Sequence, residues 1–104
     1  MPADERFANP VGIVQGGIVA ALADSAMAAS TVTWATGRSQ RVYTANAELK
    51  ISFLRPARAA GDLRCTARVI SGGRRVVFVE AEVVDDGGTL VAKASSTYLL
   101  TPRE

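Results

Sequence analysis

Residues 16–37 read GGIVAALADSAMAASTVTWATG, a run of 22 positions with a single charge, Asp24, opened by two glycines and closed by a third. Ile18, Ala21, Leu22, Ser25 and Ala29 recur at steps of three and four. Alanine, the strongest helix former, is the commonest residue in the run. The spacing predicts a helix over about 17–35. That helix is apolar nearly all round, which marks it as one enclosed by other elements rather than lying on a surface. A membrane span is the competing interpretation. A carboxylate near the centre of a span costs about 2.5–3.5 kcal/mol, and most of this run is Ala, Ser and Thr, so the membrane reading is set aside.

Beyond a loop at 36–41 the period changes from 3.6 to 2. Ala45, Ala47, Leu49, Ile51 and Phe53 alternate with Thr44, Asn46, Glu48, Lys50 and Ser52, the pattern of a half-buried strand that Pro56 ends. Gly61-Asp62 opens a second strand, in which Leu63, Cys65, Ala67 and Val69 alternate with arginines and Thr66. Ser71-Gly72-Gly73 turns into a third strand over about 75–84. Asp85-Asp86-Gly87-Gly88 turns into a fourth over about 90–100. Short turns of this kind demand antiparallel hairpins. The sequence therefore predicts an α+β domain, one buried helix followed by an antiparallel meander of four strands, spanning 1–104 as a single unit. Four strands cannot wrap a helix completely, and 48% of the residues are hydrophobic. Edge-to-edge pairing of two subunits would cover both the open edge and part of that surface.

The composition removes many mechanisms. The chain has no histidine, so the usual general base, the usual zinc ligand and every Ser-His or Cys-His pair are missing. Any acid–base step falls to Asp, Glu, Lys, Tyr or Cys. Cys65 is the single cysteine, which forbids an intrachain disulfide, and it sits on the apolar face of its strand, where packing is its expected role. Twelve basic and ten acidic residues leave a net charge of +2, too even for a generic nucleic-acid binder. The start, MPADERFANP, is polar and lacks a leader pattern, so a cytoplasmic location is expected.

Upstream of the helix the sequence carries the chemistry. Asn9-Pro10-Val11-Gly12 forms a turn. Gly16 and Gly17 then sit where a helix start exposes unpaired backbone N–H groups and the positive end of its dipole. Without side chains they let a carbonyl oxygen approach closely. Asp24 is the one ionisable group of the helix, and a carboxylate on an apolar helix needs a partner or a purpose. Asn9 and Gln15 add two amides. Acyl transfer needs an oxyanion site, a base or nucleophile, and a slot for the acyl group, and this stretch holds candidates for the first two. Gly16 and Asp24 are eight positions apart, about 12 Å along one helix. General-base contacts span about 2.6–3.2 Å. The two can serve one carbonyl only if a two-fold axis brings Asp24 of one subunit to Gly16 of another.

The run from Asn9 through Gly12, Gln15-Gly16-Gly17 and Asp24 resembles the hotdog-fold thioesterases of the phenylacetate-degradation (PaaI-like) group. Their pattern is an Asn, a Gly, His-Gly-Gly and a carboxylate on the helix, without gaps. Glu48–Ala57 with Gly61-Asp62, and Gly73-Arg74-Arg75 before an alternating strand, are similar to later parts of the family. Gln15 stands where the family has His. The resemblance implies a hotdog fold, one long helix wrapped by an antiparallel sheet, here with the family's N-terminal strand missing. It implies hydrolysis of acyl-CoA thioesters at a site shared within a homodimer, with dimers paired into a homotetramer. Asp24 takes the place of the catalytic carboxylate and the Gly16 N–H that of the oxyanion donor, while Asn9 and Gln15 orient the reactants. Gly17, Asn46, Arg55, Arg58, Arg74 and Arg75 are candidate substrate contacts, the arginines for the phosphates of coenzyme A. No metal is implied, and coenzyme A enters as part of the substrate, not as a cofactor; neither nucleic acid nor membrane is an expected partner. The alternative from another class is a non-catalytic acyl-CoA-binding or sensing domain on the same fold.

Overall fold

With no proline and seven alanines between 16 and 36, nothing in that run interrupts the i→i−4 ladder. In the computed structural model, which describes residues 14, 16–58 and 61–103, it forms one unbroken helix, α1 (Gly16–Thr36). Four strands follow: β1 (Val42–Phe53), β2 (Arg64–Gly72), β3 (Val76–Val84) and β4 (Leu90–Pro102). The helix buries Val19, Ala23, Met27, Thr31 and Ala35, a stripe at four-residue steps seated on one face of the sheet. Thr31 is the polar member of that stripe, and its hydroxyl donates to the Met27 carbonyl at 2.9 Å. The sheet covers this one side. Gly17, Ala21, Ser25 and Ala29 point away from it and are exposed. The even apolarity of the sequence thus hides a one-sided helix, because its outward face is built from small residues rather than charged ones.

The sheet order is β1-β4-β3-β2, antiparallel throughout. Only β2, β3 and β4 form a meander. The expected four-strand meander is corrected at β1, which pairs with the last strand and lies at the opposite edge from β2. The reason is the connection. A tight hairpin needs two to five residues, whereas the 54–63 segment is longer, carries Pro56, and crosses the end of the sheet with Ala57 and Leu63 buried beneath it. The core lies between sheet and helix, where Val77, Val79, Ala81 and Val83 of β3 and Ala92, Ala94, Tyr98 and Leu100 of β4 meet Val19, Ala23 and Met27.

A second correction concerns which way β1 faces. Asn46 pairs with Tyr98 and Glu48 with Thr97, so Ala47 has no opposite number in β4. This is a β-bulge, and one extra residue exchanges the two faces of a strand beyond it. Ahead of the bulge Val42, Thr44 and Asn46 face the helix. Past it Leu49, Ile51 and Phe53 do. The simple alternation placed Ala45 and Ala47 inward and Asn46 outward; the bulge reverses that assignment at Asn46. The bulge is closed by Asn46 itself, whose Oδ1 accepts the Glu48 N–H at 3.0 Å.

Two residues define how tightly helix and sheet meet at the β2 side. The Trp34 indole lies on Gly72, so that a Cβ there would come within 2.5 Å of the ring. Cys65 is partly covered, and burial pushes its thiol above the ordinary thiol range. Gly72→Ala is expected to destabilise the fold by about 1–3 kcal/mol, measured by urea unfolding. Gly17→Ala, whose Cβ meets nothing within 4 Å, is expected to stabilise it by about 0.5–1 kcal/mol. Because the raised thiol carries less thiolate at a given pH, iodoacetamide at pH 8 should alkylate Cys65 several-fold more slowly than an unfolded control, with the difference abolished in urea.

Candidate active site

Asp24 lies on the side of α1 that faces β1 and β4. Its Oδ1 accepts two hydrogen bonds, from the Tyr98 hydroxyl at 2.5 Å and from Asn46 Nδ2 at 3.0 Å. The Tyr98 hydroxyl also lies 2.9 Å from the Asp24 backbone carbonyl. Asn46 Nδ2 reaches the buried Ser96 hydroxyl at 3.3 Å as well. The bulge decides which end of the Asn46 amide does this. Its oxygen is committed to the Glu48 N–H, so its nitrogen is the end aimed at the carboxylate. A carboxylate on an apolar helix is thereby supplied with two donors by the sheet beneath it.

Electrostatics divide the roles. Tyr98 is 1% exposed. Burial, together with the proton it gives to Asp24 and the negative charge there, pushes the phenol well above the ordinary tyrosine range. Tyr98 therefore stays a protonated donor at every working pH. With Tyr98 held as a donor, Asp24 is the group of this cluster suited to accept a proton or attack a carbonyl.

Gly16 is the first residue of α1, so its N–H belongs to the set without an intrahelical acceptor. A Cβ at Gly16 would come within 3.0 Å of the tip of the Phe53 ring, so the missing side chain lets the ring lie close against the helix start. Phe53 and Leu54, 54% and 49% exposed, form an apolar wall beside the helix start. The unbroken helix keeps Gly16 about 12 Å from Asp24, so one subunit does not bring them together. Asn9 and Gln15 lie outside the described residues.

The arginines separate into two groups. Arg74 and Arg75 line a groove of about 460 Å³ with Gln40, Arg41, Val42, Pro102 and Arg103. This groove adjoins the C-terminal end of α1, where the Gln40 N–H bonds the Ala35 carbonyl. Arg103 also stacks on the Tyr43 ring at 4.9 Å. Arg55 and Arg58 flank the connection after β1, near the other end of the helix, where Arg55 N–H bonds Val91 and the Ala57 carbonyl accepts the Val14 N–H. Tyr98 and Ser96 beside Asp24 and Asn46, Phe53 beside Gly16, and Arg41 and Arg103 in the arginine groove are further candidates that the sequence reading passed over. Tyr98 and Ser96 lie in a strand where nothing but pairing with Asn46 signals them. Arg41 and Arg103 are 62 positions apart and meet only because β1 lies beside β4.

Residues 11–92 match the thioesterase superfamily. A protein of Saccharolobus solfataricus provisionally named an esterase is 34% identical over 98 residues, 93% of this chain and 61% of that protein; the chain thus spans about three fifths of that relative's length. A provisionally named thioesterase of Ralstonia eutropha, related to phenylacetic acid degradation, is 41% identical, with a TM-score of 0.79 over 93% of this chain and 70% of that one. A Bacillus halodurans protein crystallised with CoA is 28% identical, with a TM-score of 0.85 over 97% and 68%. One helix packed on a four-stranded antiparallel sheet is the hotdog architecture, and with the match over residues 11–92 it establishes that this chain belongs to the thioesterase superfamily.

Proposed function

We propose that this chain hydrolyses acyl-CoA thioesters as a homodimer whose active sites each take Asp24 from one subunit and the helix start of Gly16 from the other. The observation that carries this reading is the Asp24 carboxylate. Two donors hold its Oδ1, while Oδ2 has no partner among the described residues. Oδ2 either takes a proton from the water that attacks the thioester carbonyl or attacks that carbonyl itself. In both routes the oxyanion develops at the Gly16 N–H of the partner subunit, where a donor without an intrahelical acceptor and the helix dipole stabilise it. Collapse breaks the C–S bond; in the second route it leaves the acyl group on Asp24 as a mixed anhydride, which a water then hydrolyses, restoring the carboxylate. The thiolate of coenzyme A leaves and takes up a proton, and the acyl group departs as the carboxylate.

The shared site needs a second copy, and the surface of β1 suits one. Among the described residues its outer edge is unpaired over twelve residues, and Leu49, Phe53 and Leu54 are exposed beside it, a combination that proteins normally cover. A further apolar patch on the far face of the sheet, formed by Tyr43, Val76, Phe78 and Leu99, suits the pairing of dimers into a tetramer. The arginine groove supports coenzyme A as the carrier. Guanidinium groups match phosphate oxygens in pairs, and the groove lies about 16 Å from Asp24 along the helix. Phe53 and Leu54 offer the acyl group an apolar wall.

A panel of acyl-CoAs assayed for thiol release tests the activity, and Asp24→Asn is expected to lower kcat at least about a hundredfold. Binding of acyl-CoA without thiol release would return the sensing domain instead. The shared site has its own test. Asp24→Asn and Gly16→Val homodimers should each be inactive, and unfolding and refolding them together should restore activity, because one site of the mixed dimer then holds both intact residues. No recovery on mixing would place the reacting groups within one subunit. Arg74→Ala should raise KM for an acyl-CoA about tenfold while leaving KM for the phosphate-free pantetheine thioester unchanged.

A further inference from the structure

The Asp24 carboxylate is gripped through one oxygen. The Tyr98 hydroxyl comes from β4 and the Asn46 amide from β1, and both end on Oδ1. A carboxylate on a single donor rotates readily, because its terminal torsion is broad. Two donors from two strands fix its plane. A tyrosine serving only to fill the core would have been satisfied by the Asp24 backbone carbonyl, which lies 2.9 Å from its hydroxyl. The hydroxyl lies against the carboxylate oxygen as well, at 2.5 Å.

We infer that Tyr98 is a positioning residue for the reaction at Asp24: its buried hydroxyl holds Oδ1, with Asn46 as second donor, so that Oδ2 is the oxygen presented to the thioester or its attacking water. The inference rests on the reading of Asp24 as the reacting group. Three features make the arrangement firm. The Tyr98 ring is packed in the core beneath α1, which fixes its hydroxyl oxygen beside Asp24, within reach of the carboxylate and the backbone carbonyl of that one residue. Its raised phenol keeps the proton in place. The Asn46 amide is locked in orientation by the bulge N–H, so the second donor cannot turn its oxygen toward the carboxylate. The device therefore joins a helix residue to two strands, and the reactive oxygen is selected by what the other oxygen is bound to.

The test is steady-state kinetics of Tyr98→Phe, Asn46→Ala and Asp24→Asn on an acyl-CoA that the wild type hydrolyses. Tyr98→Phe keeps the ring and removes the hydroxyl. It should lower kcat about ten- to a hundredfold, with KM within about twofold, since a misplaced reacting group costs turnover rather than binding. Asn46→Ala, at an exposed position, should lower kcat in the same sense, and supplies the answer if Tyr98→Phe fails to fold. A signature independent of turnover is the hydroxyl proton of Tyr98 in the proton NMR spectrum, downfield of the amides. It should vanish in Tyr98→Phe and shift in Asp24→Asn. Wild-type kcat in a folded Tyr98→Phe, or a hydroxyl resonance unmoved by Asp24→Asn, overturns the positioning role. Full activity in Asp24→Asn overturns instead the reading of Asp24 on which it rests.

Discussion

The half-buried carboxylate of Asp24, set into an alanine-rich helix, takes hydrogen bonds from two strands at once, and much of this molecule can be read as the means of bringing those donors to it. Asp24 obtains its donors from the sheet under α1, not from its own helix. For that to happen β4 must lie beneath the helix with Tyr98 facing up, and β1 must lie next to β4 with Asn46 facing up. The first requirement is met by ordinary alternation along β4. The second needs the extra residue at Ala47, because without it Asn46 would stand on the face that carries Ala45. The bulge, the strand order and the position of the helix are therefore tied to one oxygen atom.

Small side chains set the height of the helix over the sheet. Ala81, Ala92, Ala94 and Ser96 lie on the covered face, and Ala23 sits in the buried stripe of α1. Larger residues here would lift the helix and lengthen the contacts to Asp24. The same economy appears at both ends of α1, where Gly16 lies against Phe53 and Gly72 against Trp34. Close packing fixes the axis at two points, and the polar contacts near Asp24 then need little further adjustment.

Much of this was legible in the residues. The helix read as 17–35 is 16–36, and each strand lies within a few residues of its expected place, because alanine content, alternation and Gly-rich turns are local signals. The position of β1 in the sheet was not legible, since strand order depends on where a crossing connection lands rather than on any strand's own pattern. Asn46 was named as a contact but assigned to the wrong face, because a bulge adds a residue without marking it in the composition. Tyr98 was invisible for a different reason. A tyrosine in an apolar strand is usually core, and only the partner 74 positions away gives its hydroxyl a role. Asp24 and Gly16 stood out because a lone charge on an apolar helix and glycines at its start are anomalies in themselves.

The placement of β4 between β1 and β3 has a consequence for how the molecule comes into being. Among the described residues β4 supplies the one strand partner of β1, and it also brings Ser96 and Tyr98. While the chain is being made, β1 is without its β4 neighbour until that strand emerges and inserts. Closing so long a loop comes late and is slow relative to the local β2–β3 hairpin. The Asp24 constellation thus forms only after β4 has inserted, later than the β2–β3 hairpin.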